Sequence, residues 1–149
     1  MMSAILTIEG TTGFDYDWGR LEELHKIGFR MSTLGWNENN PLTGSNLTGG
    51  GLTENGRQYL KELQRLKMLV DVSHISDEGF WDIVDLTTAP IVASHSNSRT
   101  VCNHSRNITD EMFKAICQTD GVVGINLYSL FFKILFQKFF KLISAVVTT

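Results

Sequence analysis

The sequence predicts an α/β fold built on a parallel sheet, and three observations predict it. Short apolar runs of strand length alternate with helical patterns about five times along the chain, the pattern of repeated βα units. The runs are rich in Val and Ile and lack polar alternation, as strands buried on both faces do. One helical crossover between two runs places them side by side and pointing the same way.

Residues 4–8 form the first strand. Residues 17–27 follow as an amphipathic helix, with Trp18, Leu21, Leu24 and Ile27 on one side and Arg20, Glu22, Glu23 and Lys26 on the other. Gly28 ends that helix, and residues 29–34 are the second strand. Residues 36–51, full of Asn and Gly, form a long loop. Thr53 is the N-cap of a helix that carries Tyr59, Leu60, Leu63 and Leu66 on one face. The third strand starts at Met68. Ser76 caps a helix through Phe80, Trp81, Ile83 and Val84. The fourth strand starts at Pro90, and residues 96–107 make a polar loop. Thr109 caps a helix through Met112, Phe113 and Ile116, and residues 121–126 are the fifth strand.

Two architectures share this pattern, an open doubly wound sheet and a βα barrel. No Gly-x-Gly-x-x-Gly follows any strand, which argues against a dinucleotide-binding sheet. A complete barrel has eight strands and about 250 residues, so five βα units would be a partial barrel with two raw edges.

The bulk properties exclude several classes. A net charge of −3 with no basic stripe offers no footprint for nucleic acid. Cys102 and Cys117 match no metal or redox spacing and read as plain small residues. The N-terminus has no basic segment, and its apolar stretch is too short for a signal peptide, so no compartment is assigned. Residues 128–149 break the alternation and form a separate tail after a domain of residues 1–127. The tail and its junction hold Phe131, Phe132, Phe136, Phe139 and Phe140, with Lys133, Gln137 and Lys141 every four residues. It reads either as a helix on the barrel wall or as a membrane-surface helix over 128–147. A third reading is sequence foreign to the domain. Lysines interrupt it too often for a spanning helix.

His74 and His95 each end an apolar run, and Glu9 ends the first. The carboxyl ends of parallel strands open onto the face where βα folds bind ligands. A carboxylate and two imidazoles on one rim suit zinc, with a position left for water. Metal-bound water supplies a hydroxide nucleophile near neutral pH. Arg106, in the polar loop on the same face, is placed to clamp a carboxylate by two parallel hydrogen bonds. The blander alternative for each strand-end histidine is a hydrogen-bonded structural residue. His25 reads as solvated surface, His104 as support or exposed loop, and Asp71 as structural or catalytic. Spacing alone reaches a metal-assisted hydrolase.

Several blocks together resemble the membrane (renal) dipeptidase family of zinc peptidases. They are Gly51-Leu-Thr-Glu-Asn-Gly-Arg57, Leu69-Val-Asp-Val-Ser-His-Ile-Ser76, Ala89-Pro-Ile-Val-Ala-Ser-His-Ser-Asn97, Cys102-Asn-His-Ser-Arg-Asn107, Thr109-Asp-Glu111 and Gly121-Val-Val-Gly-Ile-Asn126. The resemblance covers about residues 5–127 and implies a partial (β/α)8, TIM-like barrel. It also implies a two-zinc site that hydrolyses dipeptides. Glu9 matches the carboxylate that bridges the metals, His74 and His95 the pair that holds one of them, and Arg106 the substrate-carboxylate clamp. Trp36 stands in the substrate-binding loop after the second strand, where some members carry a histidine.

The family's other metal is held by a His-x-Asp pair on the first strand, and this sequence has no such pair. A downstream acid–base Asp is also absent. The chain is thus expected to be the central part of a dipeptidase, with at most one zinc fully liganded. The alternative is a non-catalytic remnant that binds one metal or none and rests on a membrane through its tail. Its raw sheet edges would then invite dimerisation.

Overall fold

The computed structural model describes residues 4–131. Its strands are β1 (Leu6–Ile8), β2 (Phe29–Thr33), β3 (Leu69–Asp71), β4 (Ile91–Ala93) and β5 (Val122–Val123). The intervals hold α1 (Leu21–Lys26), α2 (Glu54–Arg65), α3 (Asp77–Leu86) and α4 (Asp110–Gln118). All pairings are parallel, and the sheet order is β1-β2-β3-β4-β5. Strand order that follows chain order has no reversal point, which separates a barrel wall from a doubly wound sheet. The four βα units and the fifth strand therefore form a partial barrel wall. Among the described residues, β1 and β5 each pair on one side alone.

Capping chemistry starts three of the helices where the sequence places their caps. Thr53 Oγ1 accepts from Gly56 N at 3.0 Å, Ser76 Oγ from Gly79 N at 2.9 Å, and Thr109 Oγ1 from Met112 N at 3.2 Å. Each cap satisfies a backbone donor that the first turn leaves free and is worth about 1 kcal/mol. Acidic residues follow each cap, where the helix dipole favours them. The loop before α2 packs directly on that helix: a Cβ on Gly56 would lie 2.0 Å from the Leu42 carbonyl oxygen. Only a glycine permits this approach, and it seats the long 36–51 loop beside the barrel rim.

The core lies between sheet and helices. Leu60 and Leu63 of α2, Ile83 of α3 and Ile116 of α4 meet Val70, Ile91 and Ala93 of the sheet. Tyr59 is fully buried, and its hydroxyl pairs with Ser32 Oγ at 2.9 Å.

The first helix departs from its expected stripe. Residues 18–20 form a 3-10 turn and α1 is six residues long. With about three residues per turn instead of 3.6, Trp18 rotates out of the stripe. Ile27 lies past the last helical residue as its C-cap. Trp18 and Ile27 are therefore 42% and 68% exposed, whereas Leu21 is buried. Trp81 and Phe113 likewise stay outside the core.

The expected C-terminal helix over 128–149 is described only at its start, where Ser129–Phe131 form a 3-10 turn. The tail beyond, and the readings placed on it, lie outside the described residues. Among the described residues no helix is long and apolar enough to cross a membrane.

Candidate metal centre

The parallel order puts the carboxyl ends of β1, β3 and β4 on one rim, and Glu9, His74 and His95 lie just beyond them. Their donor atoms converge. His74 Nε2 is 2.9 Å from Glu9 Oε1 and 2.9 Å from His95 Nε2, and His95 Nε2 is 3.2 Å from Glu9 Oε1. Among the described residues, no other cluster of three or more His, Cys, Asp or Glu could hold an ion.

The partners of the other ring nitrogens assign the tautomers. His74 Nδ1 is 3.0 Å from the Asn37 side-chain oxygen, so it donates. His95 Nδ1 is 2.7 Å from Ser94 Oγ, whose own proton goes to Asp71 Oδ2, so it donates too. Both Nε2 atoms are then left with lone pairs that face the Glu9 carboxylate. Three electron-pair donors at such distances repel one another unless a cation sits among them. A tetrahedral zinc with bonds of about 2.0–2.1 Å separates its ligand atoms by about 3.4 Å. The triangle is a few tenths tighter, and it fits a small divalent ion.

Electrostatics favour the neutral form of His74. The His74 imidazole is pushed down to about 3, first by burial, then by the Arg106 charge and His95. A neutral imidazole is the form that ligates. His74 also adopts φ +75°, the left-handed region that disfavours side chains, at a cost of roughly 1–2 kcal/mol. Its carbonyl accepts from Asn46 N at 2.9 Å, so the long loop helps to hold this turn.

Arg106 is buried, and its Nη2 has no hydrogen-bond partner. Burial lowers its pKa, opposed by the Glu9 and Asp71 carboxylates. The guanidinium lies 5.6 Å from the centre of the Phe131 ring. It shares with His74, Ser76 and Ser96 the lining of a cavity of about 10 Å³, room for about one water. A buried cation with an unpaired N–H is suited to an anion. Trp36 is half-exposed, its ring 6.3 Å from that of His74.

His104 joins no ligand cluster. Its Nδ1 accepts from Arg106 N at 3.1 Å, and its ring packs on Phe131. The supporting residues Asn37, Ser73 and Ser94 were not singled out by spacing. A signal existed for two of them, because each histidine directly follows a serine, Ser73-His74 and Ser94-His95. Asp71, left open between structural and catalytic roles, joins β3 to β4: its Oδ1 accepts from Ser73 N and Ser94 N at 2.9 and 3.0 Å.

Known proteins share this arrangement of strands. The family model described as membrane dipeptidase (peptidase family M19) matches residues 1–147. An uncharacterised protein from the pqqA 5′ region of Klebsiella pneumoniae is 36% identical over 141 residues, covering 89% of this chain and 52% of that protein. An uncharacterised dipeptidase of Schizosaccharomyces pombe is 35% identical over 134 residues, covering 86% and 32%. A metallopeptidase of Rhodobacter sphaeroides, solved with a phosphinate mimic of the dipeptide L-Ala-D-Ala, superposes with a TM-score of 0.79 at 36% identity, over 85% of this chain and 38% of that one. An amidohydrolase from Pseudomonas aeruginosa, 23% identical, shares the fold with a TM-score of 0.80 over 85% and 39%. The chain spans about half the length, or less, of the curated relatives it matches. Sequence and fold together place this chain in the membrane dipeptidase family, peptidase family M19.

Proposed function

We propose that the chain supplies a metal-binding and carboxylate-binding part of a zinc-dependent dipeptidase. The observation that carries this reading is the convergence of Glu9, His74 and His95 with both imidazole Nε2 atoms turned inward. An oxygen and two nitrogen donors suit zinc. The bound ion would polarise the scissile carbonyl and acidify a water.

The chain's own residues do the rest. Asn37 and Ser94 keep each Nδ1 protonated and each ring oriented. Arg106 takes the free carboxylate of the dipeptide, which gives its unpaired Nη2 a partner and adds a charge-assisted bond. Trp36 offers an apolar wall beside His74 for a substrate side chain. The dipeptide mimic held by the Rhodobacter relative supports this substrate class.

The test uses the longest product that the gene encodes. Metal analysis is expected to find zinc, and dipeptides are expected to turn over. Arg106→Met is expected to raise KM for a dipeptide while leaving the poor turnover of its C-terminal amide unchanged. Absence of both bound metal and turnover would overturn the reading. The sheet edges left unpaired among the described residues favour a second reading, a non-catalytic remnant that binds one ion or none and associates through its edges. Dipeptide turnover by the 149-residue chain alone would remove it.

A further inference from the structure

We infer that Asp71, acting through Ser94, sets the tautomer and orientation of His95 and thereby the affinity of the metal centre; this rests on the metal reading above. Asp71 is the last residue of β3 and is buried. One carboxylate oxygen accepts from the backbone N–H of Ser73 and of Ser94. The other accepts the Ser94 hydroxyl proton. Ser94 has one proton, so once it is given to Asp71 the hydroxyl oxygen can only accept from His95 Nδ1. The backbone N–H of His95 is held as well, by Ser73 Oγ at 3.1 Å.

The direction of this chain of bonds follows from its far end. Both Asp71 carboxyl oxygens accept, one from two backbone N–H groups and the other from the Ser94 hydroxyl, so every proton in the relay points toward Asp71. His95 therefore carries its proton on Nδ1 and presents a bare Nε2 to Glu9 and His74. The two ligand histidines are backed differently: His74 by the neutral amide of Asn37, His95 by a carboxylate one hydroxyl away. Such outer partners orient metal-bound imidazoles and raise their basicity. Asp71 is thus a positioning residue that never touches substrate or metal.

Asp71→Asn can reverse the relay. The amide keeps an oxygen for the two backbone N–H groups but can donate its NH2 to Ser94 Oγ. The serine proton then turns to His95 Nδ1, and the imidazole proton moves to Nε2, the ligand atom. Ser94→Ala cuts the relay and leaves both backbone bonds to Asp71 in place. Ser94→Thr restores the hydroxyl.

The experiment uses the full chain, metal-free, with ¹⁵N-labelled histidine. Long-range ¹H–¹⁵N spectra are expected to show His95 protonated on Nδ1 in the wild type and on Nε2 in Asp71→Asn, with the His74 pattern unchanged. Cobalt(II) titration is expected to show affinity about 10–100-fold lower in Asp71→Asn and in Ser94→Ala. The double variant is expected to be no worse than either single one, and Ser94→Thr to recover most of the loss. A wild-type His95 protonated on Nε2 would overturn the inference. So would two folded variants that bind cobalt as the wild type does. If the wild type binds no cobalt, the metal reading fails while the tautomer spectrum still decides the relay. If Asp71→Asn does not fold, Ser94→Ala decides it.

Discussion

The middle of the sheet and its two edges are made from the same kind of apolar run, and they end in opposite surroundings. Val70, Ile91 and Ala93 of β3 and β4 are at most 3% exposed. Leu6 of β1 and Val122 of β5 are 53% and 63% exposed, with Ile5 and Ile125 beside them more open still. The central pair is also tied at its carboxyl ends by Asp71, whereas each edge strand is held along one side among the described residues. The contrast teaches where the candidate metal centre takes its rigidity. Both histidines leave the tied central strands, while Glu9 leaves an edge strand with its side chain 47% exposed. Two donors are fixed by the core, and the third stands on the open side.

The largest expected effect tests the centre. Ile91→Ala removes a fully buried side chain of β4 and is expected to cost about 2–5 kcal/mol in urea unfolding. A loss under half a kcal/mol would mean that the core does not depend on this pair.

Acid tests the same region through His74. Its folded-state pKa is pushed down to about 3, below the unfolded value of 6.5. Between those values the unfolded chain binds a proton that the folded chain refuses. Stability is therefore complete above pH 6.5 and declines as pH falls toward 3. Metal-free samples melted across this range should show the decline. A His74→Gln variant should lack that part of it, and an equal acid slope in both would refute the assignment.

Ser76→Ala removes the cap of the helix between the central strands and is expected to cost about 1 kcal/mol. The equivalent cap change nearer the β5 edge, Thr109→Ala, should match it if capping is purely local. A much larger effect at Ser76, whose hydroxyl also bonds the Gly50 carbonyl, would show that the long loop draws stability from the cap.

The smallest effect belongs to the edge. Val122→Thr is expected to change stability by less than about 0.5 kcal/mol, because its side chain already faces water. A loss as large as that of Ile91→Ala would erase the distinction between centre and edge.

Much of the fold was legible in the chain because its signals are local. Thr53, Ser76 and Thr109 cap the helices they were expected to cap, and five apolar runs became five parallel strands. The first helix misled because a 3-10 turn changed its period, and no propensity in residues 17–27 announces that switch. Glu9, His74, His95 and Arg106 stood out by residue type at strand ends or in the rim loop. Their supports did not, since Ser, Asn and Asp are common in turns and carry no distinct spacing.

The sequence by itself determined the order of strands and helices, their start points, and the residue types able to hold a metal. Capping, periodicity and turn chemistry act within a few residues, so they can be read along the chain. The tertiary structure alone decided that the strands line up without reversal, that three donor atoms meet within about 3 Å, and that each imidazole turns its Nε2 inward. Those outcomes depend on pairs far apart in the chain: Asn37 with His74, Asp71 with Ser94, and Glu9 with both histidines. Which long-range contacts close is settled by the packing of the whole sheet, and no local pattern records it.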